Sequence, residues 1–75
     1  MNKLSVFECG VGDCVEIVEV GEVEMRNRFL QFGFVCGSKF VIVGKSRSSV
    51  VIKRGGVEIA IDVCSAKNIF VKKCG

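Results

Sequence analysis

The sequence contains no histidine, proline, tryptophan or tyrosine. Without histidine it lacks the base of Ser–His–Asp triads and the commonest general acid–base group of enzymes. The mixed cysteine–histidine sites that usually hold zinc are excluded for the same reason. No residue beside any cysteine marks an activated thiol nucleophile. We therefore expect a protein that is not an enzyme.

Long apolar segments are missing as well. The apolar run at 40–43, for example, is followed directly by glycine and lysine, whereas a membrane-spanning helix needs about 20 predominantly apolar residues. Residues 1–8 lack the apolar stretch of a secretory signal. We therefore expect a cytoplasmic protein, whose recruitment to the inner face of the membrane would depend on a partner.

The cysteines are odd in number, five in all, which argues against a closed framework of disulfides. Most of them can be interpreted as small apolar side chains of the core and its loops, and on that interpretation no cofactor is required. The alternative is a site for a transition metal ion such as Fe²⁺ or Zn²⁺, with Cys9, Cys14 and a third thiol as ligands.

The chain has 75 residues, of which 49% are hydrophobic, and this suits one small folded domain over 1–75. Apolar and β-branched segments predict five strands, at 14–20, 39–44, 50–53, 57–63 and 69–71. Residues 57–63 alternate strictly between apolar and other side chains, apart from Ala60, so they predict a strand with one buried face. Residues 65–68 are short enough for a single turn of 3₁₀ helix.

The segment 22–32 predicts the one helix. Met25, Phe29 and Phe32 are spaced so that they share one face, and Gly33 follows where a left-handed cap residue is expected. Glu24 and Arg28 are placed to form an ion pair one helical turn apart. About five strands and one short helix predict a mainly β fold, a small barrel whose closure would remove exposed sheet edges.

Charge is divided unevenly along the chain. Residues 1–37 contain three basic and six acidic side chains, and residues 38–75 contain eight basic and two acidic ones. The split could steer a partner to one face, or it could disappear when strands from the two halves pair. The basic residues of 45–54 would suit the phosphates of RNA. No aromatic residue is interleaved with them to stack bases, so a small RNA-binding barrel is an alternative and nucleic acid is not the favoured partner.

Three segments resemble a known family. Residues 28–37, Arg-Phe-Leu-Gln-Phe-Gly-Phe-Val-Cys-Gly, are similar to the segment Arg-Leu-x-x-Leu-Gly-Leu-x-Pro-Gly of the ferrous iron transport protein A (FeoA) family. Residues 56–61 resemble its Gly-x-x-Ile-Ala-Leu strand, and 12–20 resemble its opening Gly-Glu-x-Ala-x-Ile-x-x-Ile. Two departures are Cys36, where the family has proline, and Asp62, where it has arginine.

The resemblance implies an SH3-like barrel that serves bacterial ferrous iron uptake by docking on the cytosolic GTPase region of the FeoB transporter. The alternative functions are a metal-responsive module that binds a transition metal ion through cysteine thiolates and the RNA-binding barrel. Phe34 is expected either in the core or as an exposed anchor for the partner. The candidate partner-binding residues come from the 28–37 block and the following hairpin: Arg28, Gly33, Phe34, Gly37, Lys45 and Arg47.

Overall fold

Six strands form one antiparallel sheet in the computed structural model, which describes residues 3–74. The strands are β1 (Leu4–Ser5), β2 (Cys14–Val20), β3 (Lys39–Lys45), β4 (Ser49–Arg54), β5 (Val57–Asp62) and β6 (Ile69–Lys73). Helix α1 covers Val23–Gln31, a 3₁₀ helix covers Val6–Glu8, and a second short helix, α2, covers Val63–Ala66. The mainly β prediction is confirmed, and α1 lies within one residue of the predicted helix at each end.

The sheet is open rather than a closed barrel. In residues 3–74 its order is β1-β6-β2-β3-β4-β5, with no ladder between the edge strands β1 and β5. Each edge strand leads directly into a helical turn, and the two turns, Val6–Glu8 and α2, contact each other. The expected closure of the barrel was wrong, and the sheet has six strands where about five were predicted. The strand that was not predicted is β1, whose two residues are too few to show a periodic pattern.

One face of the sheet carries the core. Strand β5 shows the predicted alternation, because its odd-numbered residues are buried or half-buried while the even-numbered ones are exposed. Met25 and Phe29 of α1 pack into the same core. The largest side chains that are fully buried are Phe29, Phe34, Phe40, Ile17, Ile42, Ile52, Ile61 and Ile69.

An irregularity in β2 changes which face its side chains occupy. The register with β6 shifts between Ile17 and Glu19, so Val18 is an extra residue and its side chain is exposed. Val15, Ile17 and Val20 all remain buried because the bulge restores the inward face after Val18. The sequence 14–20 therefore forms the predicted strand without a strict alternation.

The fold brings opposite charges from the two halves of the chain together at two points. Lys72 Nζ lies 3.8 Å from Glu16 Oε2, and Lys73 Nζ lies 3.7 Å from Asp13 Oδ2. Both pairs join an acidic residue of the first half of the chain to a basic residue of the second. No helix in residues 3–74 combines the length and the apolar character needed to cross a membrane.

Candidate docking surface

The end of α1 is fixed by a Schellman motif. Gly33 N donates to Leu30 O at 3.1 Å and Phe34 N donates to Phe29 O at 2.8 Å, the two hydrogen bonds that define this motif. Gly33 has a φ of 81°, a left-handed conformation that glycine adopts without steric cost. The predicted cap at Gly33 is confirmed.

The motif places Phe34 in the core. Its side chain is 2% exposed, and its ring lies 5.3 Å from that of Phe29 and 5.9 Å from that of Phe40, measured between centroids. Of the two positions predicted for Phe34, the core is therefore confirmed and the exposed anchor was wrong. The expectation that Phe32 lies on the buried stripe was also wrong. Phe32 is the C-cap and is 45% exposed, because the helix ends before the periodic pattern does.

Ser38 fastens the loop that follows. Its hydroxyl accepts from Val35 N at 3.0 Å and donates to Gly33 O at 3.3 Å. Ser38 N also donates to Val35 O at 2.8 Å, closing a turn in which Gly37 has a φ of 92°. Gly37 N donates to Ile17 O and so ties the loop to β2. Hydrogen bonds hold both ends of the loop from 33 to 38, so the loop presents a preorganised surface.

An apolar groove lies between this loop, α1 and β2. It has a volume of about 140 Å³, and Phe34 contributes to its buried part. Two side chains on its border project outward, Leu30 at 52% and Val35 at 47% exposure. We call this feature the α1 groove; its lining residues are Val20, Arg26, Leu30, Phe34, Val35 and Cys36.

Two hydrogen bonds tie the α1 groove to β2. Arg26 Nη2 donates to Val20 O at 3.3 Å, which brings a positive charge to the apolar border. Cys36 Sγ donates to Val18 O at 3.4 Å, at the residue that forms the bulge. The departure from the family's proline at position 36 thus gives this loop a thiol contact to the sheet.

A shallow depression with basic side chains adjoins the α1 groove. It is lined by Val35, Cys36, Gly37, Ser38, Lys39 and Arg54. The guanidinium carbon of Arg54 lies 5.9 Å from the centroid of the Phe34 ring, within the range of a cation–π contact. The combined surface is therefore apolar at the groove and positive at its border.

The remaining predicted partner-binding residues lie in different places. Arg28 is exposed on α1, and among the described residues it forms no ion pair with Glu24, so that predicted pair is not seen. Arg47 is exposed in the turn between β3 and β4. Lys45 instead reaches the N-terminal segment, where its Nζ donates to Phe7 O at 2.6 Å and to Cys9 O at 2.8 Å. This geometry gives Lys45 a structural role.

Asp62 replaces the arginine of the family pattern and caps α2. Its carboxylate accepts from Ser65 N at 3.1 Å and from Ser65 Oγ at 2.8 Å. Both hydrogen bonds lower the pKa of Asp62 below its usual value, and the bond from the Ser65 hydroxyl has the larger effect. The charge of Arg28 makes a smaller contribution in the same direction. The departure from the family pattern at this position has a local structural explanation.

The cysteines proposed as metal ligands do not form a common site in the described residues. Cys9 is 1% exposed and its Sγ donates to Ser5 O at 3.5 Å. Burial, followed by the charge of Asp13, raises the pKa of the Cys9 thiol. Cys14 is exposed, and within residues 3–74 no three Cys, Asp or Glu side chains converge as ligands would. The metal-responsive function stays a prediction.

The sequence did not reveal the α1 groove itself. Its residues Arg26, Leu30 and Val35, and Arg54 of the adjoining depression, were not among the predicted site residues. For Leu30 the sequence contained a partial signal, because an apolar residue that lies off the buried face of a short helix is a candidate for contact with a partner. The convergence of these residues depends on the turn at Gly33, which sets the loop beside α1, and on the sheet, which brings Arg54 of β4 to the same surface.

Comparison with known proteins adds to this geometry. A family model described as the FeoA domain matches residues 5–73. No curated protein sequence matches the chain significantly.

Solved structures share the fold at low sequence identity. A crystal structure of an iron uptake regulatory protein (FeoA) superimposes with a TM-score of 0.83 at 23% identity, covering 99% of this chain and 100% of that one. The solution structure of a FeoA protein from Chlorobium tepidum gives 0.87 at 21% identity, covering 96% and 71%. A manganese-dependent transcriptional repressor gives 0.84 at 13% identity, over 96% of this chain but 42% of the repressor. These likenesses confirm the SH3-like fold.

Proposed function

Because the chain belongs to the FeoA family, we propose that it is an accessory protein of ferrous iron uptake that docks on the cytosolic GTPase region of a FeoB-type transporter. Docking of this kind would hold it at the inner face of the membrane through its partner. The observation that carries the proposal is the α1 groove, four of whose six lining residues belong to the 28–37 block that carries the family resemblance.

The α1 groove has the properties of a protein-binding surface. Leu30 and Val35, on its border, are 52% and 47% exposed, and Phe32, which lies between them in the chain but outside the groove lining, is 45% exposed. Well-packed, desolvated side chains at the centre of a protein interface carry most of its binding energy, and a polar rim surrounds them. The loop is held by the hydrogen bonds of Ser38, so little conformational entropy would be lost when a partner binds.

The charges around the α1 groove specify the partner's surface. Arg26 borders the groove, and Lys39 and Arg54 line the adjoining depression. A complementary partner presents an apolar side chain surrounded by carboxylates. We therefore expect binding to weaken with added salt, mainly through a slower association rate.

The test is an NMR titration of the isotope-labelled chain with the purified GTPase region of the transporter, with nucleotide present. Localised shifts at Leu30, Val35 and Arg54 are the expected result. No shift with near-millimolar partner would overturn direct docking. Shifts confined to Arg47 and its hairpin would keep docking and reject the α1 groove as its surface.

A matched pair of variants on the same helix sharpens this test. Leu30→Gln removes the apolar side chain at the groove, and Val23→Gln makes the same chemical change at a residue that is 62% exposed and outside it. We expect L30Q to weaken binding by about tenfold, the loss of a contact worth roughly 1.4 kcal/mol, and V23Q to change it little. Equal affinities of the two variants would contradict the assignment. Unchanged backbone spectra of both free variants would show that the fold is intact.

A further inference from the structure

Cys14 and Cys74 lie opposite each other where β2 meets β6. The ladder pairs Glu16 with Lys72 and Val15 with Lys73, and Cys74 N donates to Cys14 O at 2.9 Å, which extends it by one residue pair. Opposite residues joined by such a hydrogen bond have Cα atoms about 5.5 Å apart. Disulfides usually join residues whose Cα atoms are about 4.4–6.8 Å apart.

The two side chains share the outer face of the sheet. Val15, next to Cys14 in β2, points into the core with 0% exposure, so Cys14 points outward, as does the residue opposite it. Cys14 is exposed and Cys74 is partly exposed. Partial burial, and then the neighbouring Cys14 thiol as hydrogen-bond partner, raise the pKa of Cys74. The thiols are therefore close to each other and open to small molecules.

The other three cysteines lack this arrangement. Cys9 is buried and bonded to Ser5 O. Cys36 donates to Val18 O from the loop after α1. Cys64 is exposed on α2. None of these three lies in a strand opposite another cysteine. They therefore serve as internal controls for the reactivity of Cys14 and Cys74.

We propose that Cys14 and Cys74 form a dithiol modification site, which low-molecular-weight disulfides convert reversibly into an intramolecular disulfide. In the first exchange, the thiolate of one cysteine attacks the small disulfide, giving a protein mixed disulfide and releasing one small thiolate. In the second, the other cysteine, after loss of its proton, attacks the protein sulfur of that mixed disulfide and expels the second small thiolate. The two protein thiols are oxidised, the small disulfide is reduced to two thiols, and thiol–disulfide exchange in the opposite direction restores the starting state.

The second exchange is intramolecular, and this distinguishes the reaction of the Cys14–Cys74 pair from that of an isolated thiol. Because the two thiols are held opposite each other, ring closure is expected to outpace attack by a thiol from solution. The mixed disulfide on Cys14 or Cys74 should therefore not accumulate in the native chain, whereas an isolated thiol such as Cys64 should retain its adduct.

The resulting cross-link would join the start of β2 to the end of β6. It would close a loop containing most of the chain and so restrict the unfolded state. The oxidised protein is therefore expected to unfold at a higher denaturant concentration than the reduced one. This site is independent of the α1 groove, and its test does not depend on the proposed partner.

The experiment treats the folded 75-residue chain with oxidised glutathione and follows it by intact mass and by peptide mapping without reduction. The expected product links Cys14 to Cys74, carries glutathione on the exposed thiols Cys36 and Cys64, and loses all of these modifications on addition of dithiothreitol. Accumulation of glutathione on Cys14 and Cys74 without a link, or a link between any other two cysteines, would overturn the proposal.

Serine variants separate the dithiol from ordinary thiol reactivity. In Cys74→Ser, Cys14 should retain its glutathione adduct and oxidation should no longer raise the denaturation midpoint. In the double variant Cys36→Ser/Cys64→Ser, both the link and the shift in midpoint should persist. A midpoint shift of equal size in C74S would show that the stabilisation comes from elsewhere. Backbone spectra of the reduced variants check that each remains folded.

Discussion

Phe34 packs its ring 5.3 Å from that of Phe29 and also donates its backbone N–H to Phe29 O at 2.8 Å. The same two residues thus form the last hydrogen bond at the end of α1 and the first contact between the following loop and the core. Helix termination and core packing are therefore coupled at this point. The loop from 33 to 38, which borders the α1 groove, depends on both.

Truncation of Phe34 should destabilise the domain strongly. We expect Phe34→Ala to lower the free energy of unfolding by about 3–5 kcal/mol, through lost burial and the cavity left between Phe29 and Phe40. Phe32→Ala is the matched control, because Phe32 is 45% exposed and its truncation should cost about 1 kcal/mol or less. Urea denaturation followed by circular dichroism measures both. A loss in F32A as large as in F34A would contradict the assignment of Phe34 to the core.

Substitution of Gly33 tests the helix cap. Gly33→Ala places a side chain on a backbone with a φ of 81°, a left-handed conformation that costs other L-residues about 1–2 kcal/mol. Gly56→Ala is the control, since Gly56 does not have a left-handed φ and an added Cβ there would meet no atom within 4 Å. We expect thermal denaturation to show a lower midpoint for G33A and a nearly unchanged one for G56A. Similar midpoints for the two variants would argue against the cap as the constraint.

The sequence predicted the regular elements better than their joints. Alternation and β-branched residues located five of the six strands, and Gly33 located the end of α1. Phe32 was misplaced because helical periodicity was extended beyond the residue that ends the helix, whereas the core position of Phe34 was one of its two predicted alternatives. The chain leaves the helix at Phe32, which is 45% exposed, and Phe34 packs into the core instead.

The candidate site was predicted only in its position along the chain. The family block contains Leu30, Phe34 and Val35, but Arg26 precedes the block in α1 and Arg54 reaches the same surface from β4. The role of Lys45 was also not predictable, because its acceptors, Phe7 O and Cys9 O, are 38 and 36 residues away in sequence. Contacts of this kind follow from the register of the sheet, which local patterns do not determine.

Loss of the Lys45 ammonium should loosen the N-terminal segment. Its Nζ donates to the carbonyls of Phe7 and Cys9 and lies 5.1 Å from the centroid of the Phe7 ring. We expect Lys45→Met to cost about 1–2 kcal/mol, because two hydrogen bonds from a charged donor are lost at a partly exposed site. Arg47→Met, in the exposed turn, should cost under about 0.5 kcal/mol.

Hydrogen exchange locates the effect of the Lys45 variant. Protection of the Cys9 amide, which donates to Val6 O, should fall in K45M and remain unchanged in R47M. Equal protection in the two variants, together with equal stability, would mean that Lys45 does not fasten this segment.

Acid should destabilise the domain through two carboxylates that accept hydrogen bonds in the folded state. Asp62 accepts from the amide and hydroxyl of Ser65, which lowers its pKa below the usual 3.8. Glu8 accepts from Ser5 N at 3.0 Å, and this bond, with that of the Ser5 hydroxyl, lowers its pKa below the usual 4.5. For a group whose pKa is lower in the folded state, the stabilisation is present above the unfolded pKa and is lost as the pH falls through the folded pKa.

The loss should therefore begin near pH 4.5 and continue below pH 3.8, with little change between pH 6 and 7 from these two groups. Urea midpoints measured across this range should fall with acid in the native chain and fall less in Asp62→Asn, which cannot gain a proton at that position. Glu22→Gln is the control, because Glu22 precedes α1 without a side-chain capping hydrogen bond and its profile should parallel that of the native chain. If D62N and the native chain lose stability equally between pH 4.5 and the acid limit, the cap of α2 is not a source of the acid sensitivity. Carbon-detected titration of the Asp62 carboxyl would then be expected to show a midpoint at its usual value rather than below it.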